Sequence, residues 1–242
     1  MADSTTDNTF DIVILGAGSG GYAAALRAAE LGMTVALVEK GKLGGTCLHR
    51  GCVPTKTMLH VGEVADTAHE GAAVGITMSV EKIDMEGVLS FKDKIVGRLY
   101  KGLQGLVKAA KGVELIQGHG RLTGKDTVTV ETESGTRELV GKNVILASGS
   151  FSKTLPGLEL GGRILDSEAA LQLAEVPKNP IILGGGVIES VDLLFEVAEK
   201  TTRLEALAHA GDAVEIVRAK LGDYSGAVGA AVIVAEQQGI VA

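Results

Sequence analysis

The chain has 242 residues, and 23 Lys and Arg against 30 Asp and Glu give a formal charge of −7 at pH 7. That balance, with aromatic residues at 3% and no Trp, excludes the basic, aromatic-rich surfaces that bind nucleic acid or anionic membranes. The 34 glycines are about twice the usual share of roughly 7%, and with few prolines they mark tight backbone turns rather than a collagen or a disordered chain.

No apolar run reaches the roughly 18 residues of a membrane span; the longest candidate, Gly226 to Ala235, stops at Glu236. The first ten residues, MADSTTDNTF, are polar and acidic, without the basic start and apolar stretch of a signal peptide, so a cytoplasmic protein is expected. Two cysteines are too few for a disulfide scaffold, and a close pair in a reducing compartment points to redox chemistry or metal binding.

In chain order, DIVIL at 11–15 reads as a short strand, GAGSGG as a tight turn and YAAALRAAELG as a helix ending at Gly32. MTVALVEK at 33–40 supplies a second strand ending in an acid, completing one βαβ unit. Residues 54–75 and 81–111 have helical spacing. From Val113, the segments VELIQG, TVTVETE, TRELV and NVILAS read as strands of a small antiparallel insert that returns to a buried strand. A boundary is expected near 150–180, where three of the 4 prolines fall. Another apolar strand, IILGGGVI at 181–188, follows.

Gly16-x-Gly18-x-x-Gly21 directly follows a strand and opens a helix. Gly16 permits the sharp turn, Gly18 lets backbone approach a pyrophosphate, and Gly21 lets helix and strand pack closely. The helix N-terminus offers N–H groups and a partial positive charge to the phosphates. Glu39 ends the second strand, where a carboxylate can accept from ribose hydroxyls and repel a 2′-phosphate. The fingerprint indicates a dinucleotide without choosing between FAD and NAD.

Cys47 and Cys52 lie in GGTCLHRGCVPTK, residues 44–56. In a regular helix, Cα atoms five residues apart are about 8.6 Å distant, beyond the roughly 7 Å limit for a disulfide. A redox-active pair therefore requires irregular backbone, which Gly44, Gly45, Gly51 and Pro54 allow. A following helix from Thr55, with Arg50 and Lys56 close in sequence, predicts lowered thiol pKa values. Buried structural cysteines, or a metal site of Cys47, His49, Cys52 and His60, are the alternatives; that spacing matches no standard tetrahedral site.

GAGSGG, Glu39, GGTCLHRGCVPTK, GHGRL at 118–122, VILASGS at 144–150 and LPGLELGGRILDSEAAL together resemble the FAD-dependent pyridine nucleotide disulfide oxidoreductases, in particular those acting as dihydrolipoamide dehydrogenases. The resemblance covers roughly 8–188. It implies an α/β fold: a doubly wound, Rossmann-like FAD-binding domain at 1–150 carrying the cysteine pair and a small antiparallel insert. A connector at 151–180 and an incomplete second α/β lobe at 181–242 would follow. It further implies that Gly16, Gly18, Gly21 and Glu39 hold FAD, and that Thr46 and Gly149 line it. Cys52 would face the flavin as a charge-transfer thiolate, Cys47 would exchange with dihydrolipoamide, and Lys56 would stabilise negative charge on the reduced ring. Electrons would pass from dihydrolipoamide through the disulfide and FAD to NAD, in the service of 2-oxo acid dehydrogenase complexes.

Towards the C-terminus the pattern departs from the family. Gly184-Gly185-Gly186 looks like the start of an NAD fingerprint, but Glu189 stands where its third glycine would fall, opposing close packing and pyrophosphate alike. The family's His-Glu base pair has no clear counterpart; His209 and Glu215 lack its spacing. The segment 184–242, with GGGVIES and AKLGDYSGAVGAA, resembles the end of ROK-family sugar kinases. The sequence therefore predicts a hybrid chain with incomplete NAD coupling and without the family's dimer interface domain. A noncatalytic flavin-binding fragment, a sugar kinase fragment and a flavin-free thiol sensor are the alternative readings.

Overall fold

The computed structural model describes residues 8–152, 159–177 and Lys200. Its elements are β1 (Thr9–Leu15), α1 (Ser19–Glu30), β2 (Val35–Glu39), α2 (Gly45–His49) and α3 (Cys52–Glu70). They continue through a 3₁₀ turn (Gly71–Val74), α4 (Met85–Ala109), β3 (Val113–Gln117), β4 (His119–Leu122), β5 (Thr127–Thr132), β6 (Gly135–Leu146) and α5 (Ser167–Ala170). The chain divides into two compact units, Met1–Thr57 with Leu89–Phe151, and Met58–Val88 with Ser152–Ala242. The glycine loop, both cysteines and the whole sheet belong to the first. The second glycine loop at Gly184, the kinase-like tail, His209 and Glu215 lie outside the described residues.

One six-stranded sheet runs in the order β3-β2-β1-β6-β5-β4. β1, β2 and β3 are parallel, with Val13 opposite Ala36 and Leu37 opposite Leu115. The end of β6 continues the parallel sheet, pairing Val13 with Val144 and Leu15 with Leu146. Side chains alternate across the sheet, so the apolar runs of β1 and β2 fill two cores. Ile14, Val35 and Leu37 join Ala25 and Ala28 of α1 and Leu103 and Val107 of α4 on one face. Val13, Leu15, Ala36 and Val38 join Ile116, Val128, Val130 and Leu139 on the other. Helices cover the first face, and the antiparallel strands fold over the second.

The βαβ unit and the α/β architecture agree with the sequence reading, and three details change. VELIQ does not belong to the antiparallel insert; it is a parallel strand beside β2. TRELV and NVILAS are one strand rather than two, because Gly141 carries β6 past Val13 at a point where a Cβ would lie 2.9 Å from Val13 Cγ2. β4 was not predicted: it is short and polar, and Gly120 lets it lie against Leu15 and Val38, where a Cβ would stand 3.0 Å from Val38 Cγ1. The helix expected from residue 81 starts at Met85. Among the described residues, no helix is long and apolar enough to cross a membrane.

Asp11 ties three strands at one end of the sheet. Its Oδ2 accepts from Thr34 N at 2.8 Å and Thr34 Oγ1 at 3.0 Å, and its Oδ1 accepts from Lys142 Nζ at 2.7 Å. The Lys142 hydrogen bond, then those from Thr34, lower its pKa from 3.8 to about 2. A carboxyl group depressed on folding stabilises the native state above its unfolded pKa and loses that contribution as pH falls toward its folded pKa. Asp11→Asn is therefore expected to lower the melting temperature at pH 7, and the difference from the unsubstituted chain should close as pH falls from 4 to 2. Thermal melts across that range provide the check.

Candidate functional site

The carboxyl ends of the parallel strands converge on one edge. Gly16 N donates to Val38 O at 2.8 Å, Ala147 N to Leu15 O at 2.8 Å and Gly118 N to Glu39 O at 2.9 Å. In open α/β sheets, ligands bind at this edge. Gly16 turns the chain out of β1 with φ +99°, a left-handed value that side chains disfavour. A Cβ at Gly16 would strike Ala147 O, and one at Gly21 would strike Gly16 O. Gly18 differs: the nearest atom to a Cβ there is Gly45 Cα at 3.8 Å. Folding therefore requires glycine at 16 and 21, whereas position 18 is bare toward any ligand above it.

α1 begins at Gly18 with no capping side chain and no acidic residue in its first turn. Its initial N–H groups and partial positive charge thus meet no side-chain acceptor, which suits a phosphate. Glu39 stands at the end of β2, as expected, but its role is wider. Its Oε2 accepts from Ala17 N at 2.7 Å and its Oε1 from Gly41 N at 2.8 Å. A carboxylate offers about four lone-pair sites, so two remain for ribose hydroxyls while the loop stays fastened. These residues fit the pyrophosphate and ribose of a dinucleotide.

The cysteine segment packs on this loop. Gly44 N donates to Ala17 O at 2.9 Å, and a Cβ on Gly45 would lie 2.7 Å from Gly18 Cα. Gly44 and Gly45 both have positive φ, +102° and +58°. α2 then runs only from Gly45 to His49 and ends at Arg50, with φ −138°. α3 starts afresh at Cys52, its first turn closed by Thr55 N to Gly51 O at 2.9 Å. Pro54 falls within that first turn, where a missing N–H costs nothing. The helical path is thus broken between the cysteines, as the sequence required of a redox pair.

The two thiols lie close enough for their side chains to hydrogen-bond. Cys47 is half-buried and Cys52 exposed, and both are free cysteines. The expectation of lowered thiol pKa values fails for Cys47. Its hydrogen bond with Cys52, burial and the charge of Cys52 together raise its pKa, against a smaller downward pull from Lys56. Two adjacent sulfurs resist ionising together. Thr46 and Lys56 are exposed on α2 and α3, and Gly149, with φ +75°, is exposed beyond the end of β6. His49 contacts the Leu43 carbonyl and His60 pairs with Glu63. Among the described residues, no cluster of three or more His, Cys, Asp or Glu side chains forms a metal site.

The sequence matches the family described as "Pyridine nucleotide-disulphide oxidoreductase" over residues 10–219. The chain belongs to this family. A dihydrolipoyl dehydrogenase of Bacillus subtilis is 42% identical over 208 residues, covering 81% of this chain and 44% of the relative. Dihydrolipoyl dehydrogenase 1, mitochondrial, of Arabidopsis thaliana is 42% identical over 192 residues, covering 78% of this chain and 38% of the relative. The chain thus spans less than half the length of these relatives. The fold is also shared with a solved HOCl-induced flavoprotein disulfide reductase of Escherichia coli, a mutant in its Cu(II) complex. Its TM-score is 0.57 at 24% identity, over 70% of this chain and 36% of that one. The family match runs on to residue 219, well into the segment that resembles a sugar kinase, so the hybrid reading gains no support.

Two outcomes test this site. Gly21→Ala, which forces a methyl onto the Gly16 carbonyl, is expected to cost about 2–3 kcal/mol in denaturant unfolding. Cys52→Ala should lower the pH midpoint of Cys47 alkylation by iodoacetamide, because the group that keeps the Cys47 proton in place is gone.

Proposed function

We propose that the chain carries the flavin and dithiol half of a dihydrolipoamide dehydrogenase-type oxidoreductase. The observation that carries this reading is the broken helix between Gly45 and Cys52, which brings two thiols together on the glycine loop suited to a dinucleotide. Gly16, Gly18 and Gly21 would take the FAD pyrophosphate and Glu39 the adenosine ribose, with Thr46 and Gly149 lining the cofactor. FAD, when bound, supplies a two-electron acceptor.

The protein's own chemistry is thiol–disulfide exchange. With the pair oxidised, a thiolate of dihydrolipoamide attacks Cys47 Sγ; the Cys47–Cys52 bond breaks and Cys52 leaves as thiolate. The second substrate thiol then attacks the substrate sulfur of the mixed disulfide and releases Cys47 as its thiol, giving lipoamide. Two electrons and two protons have moved onto the protein and its surroundings. The raised Cys47 pKa agrees with release of Cys47 as its thiol at the end of the exchange. Association with 2-oxo acid dehydrogenase complexes belongs to the reading; NAD coupling through the loop beginning at Gly184 does not, because Glu189 stands where its third glycine would fall.

The visible spectrum of the purified protein tests it, before and after anaerobic dihydrolipoamide. Flavin absorption near 450 nm that changes with the dithiol, and a response lost in Cys52→Ser with flavin retained, are the expected results. A protein that gains no flavin absorption when mixed with FAD overturns the reading. Gly18→Ala gives a second check: stability should stay within about 0.5 kcal/mol, while FAD affinity falls about tenfold or more because the methyl stands where the pyrophosphate approaches.

A further inference from the structure

His49 lies between the cysteines in sequence, and none of the chemistry above uses it. Its Nε2 is 2.7 Å from Leu43 O, and its ring meets Tyr100 edge-on, with centroids 5.0 Å apart and planes at 74°. A carbonyl oxygen only accepts, so Nε2 carries the hydrogen in the neutral and the protonated ring alike. The contact therefore does not depend on the charge of the ring.

The hydrogen bond spans the whole of α2. Leu43 precedes the two left-handed glycines, His49 is the last helical residue, and Cys47 stands between them. A five-residue helix flanked by glycines has little stability of its own. Tyr100, one turn ahead of Leu103 on α4, packs against the same core as Leu43 and Leu48, so the ring that closes α2 is itself held by the core.

We propose that His49 is a positioning residue of the dithiol: by fastening the end of α2 to the carbonyl ahead of Gly44 and Gly45, it holds Cys47 where a bond to Cys52 can close. Disulfides tolerate only a narrow range of Cα separations, so a loosened α2 makes ring closure less favourable. The inference rests on the redox reading of the pair.

The test is the dithiol–disulfide equilibrium of the 242-residue chain in mixtures of dithiothreitol and its cyclic disulfide. The cyclic disulfide takes up the two electrons and two protons released as the Cys47–Cys52 bond forms. Alkylation and mass measurement report the oxidised fraction. His49→Leu keeps the packing volume but removes the donor, and should shift the equilibrium about fivefold toward the dithiol, the scale of one lost neutral hydrogen bond. His49→Gln places an amide N–H at the reach of Nε2 and should restore the original midpoint. An unshifted His49→Leu overturns the inference, as does a His49→Gln shifted equally far. Should His49→Leu fail to fold, His49→Met, unbranched and also without a donor, replaces it under the same criteria. Absence of an intramolecular disulfide in the unsubstituted chain at every ratio overturns the redox reading and this inference together.

Discussion

Backbone lies against backbone where the glycine loop meets the cysteine segment, and the site depends on that contact. Gly18 and Gly44 form an isolated parallel bridge, and Gly45 closes on Gly18 so tightly that a Cβ on Gly45 would stand 2.7 Å from the Gly18 Cα. A side chain at Gly45 would push the two segments apart, whereas one at Gly18 would meet only ordinary contact, 3.8 Å from the Gly45 Cα. The left-handed backbone of Gly44 and Gly45 adds a second reason for glycine there. One pair of residues thus meets two constraints, contact with the dinucleotide-type loop and the turn that starts α2.

That contact explains how an ordinary sheet edge becomes a redox site. The parallel strands bring β1, β2 and β6 to a common edge, and the strongly apolar core on both faces fixes their register. Glu39 links the edge to the loop, since its carboxylate accepts from Ala17 N, whose own carbonyl accepts from Gly44 N. A continuous path of hydrogen bonds therefore runs from the end of β2 through the loop to the residue that opens the cysteine helix. Every member of it is a backbone group or a carboxylate held in partial burial, where such bonds are strengthened by the lower local dielectric.

Much of this was legible in the sequence because the decisive signals are local. β-branched apolar runs, the glycine spacing and the terminal acid marked the βαβ unit. The five-residue separation of Cys47 and Cys52 demands a broken helix if the pair is to form a disulfide. Long-range partners were not legible. VELIQ pairs with a strand more than seventy residues earlier, a distance over which residue pattern carries no pairing information. Gly120 and Gly141 read as interruptions, yet each marks a close strand crossing that only the neighbours on the second face explain. The fastening of Asp11 to Thr34 and Lys142, and of His49 to Leu43, left no signal, because a lone polar residue does not announce its acceptor.

The lowered thiol pKa expected for the pair is the most informative failure. It treated helix end and cation as acting on each sulfur separately, whereas the strongest influence on Cys47 is the thiol of Cys52. Proximity is what a disulfide needs, and in the reduced state it makes the two ionisations oppose each other. The break between α2 and α3 therefore does more than bring the sulfurs within bonding reach. It leaves Cys47 half-buried in a short helix and Cys52 exposed in the first turn of a 19-residue one, so the fold supplies an asymmetry that the symmetric spelling of the motif does not contain. Two chemically identical side chains thus stand in different settings, and the raised pKa of Cys47 follows from the sulfur beside it and from its burial.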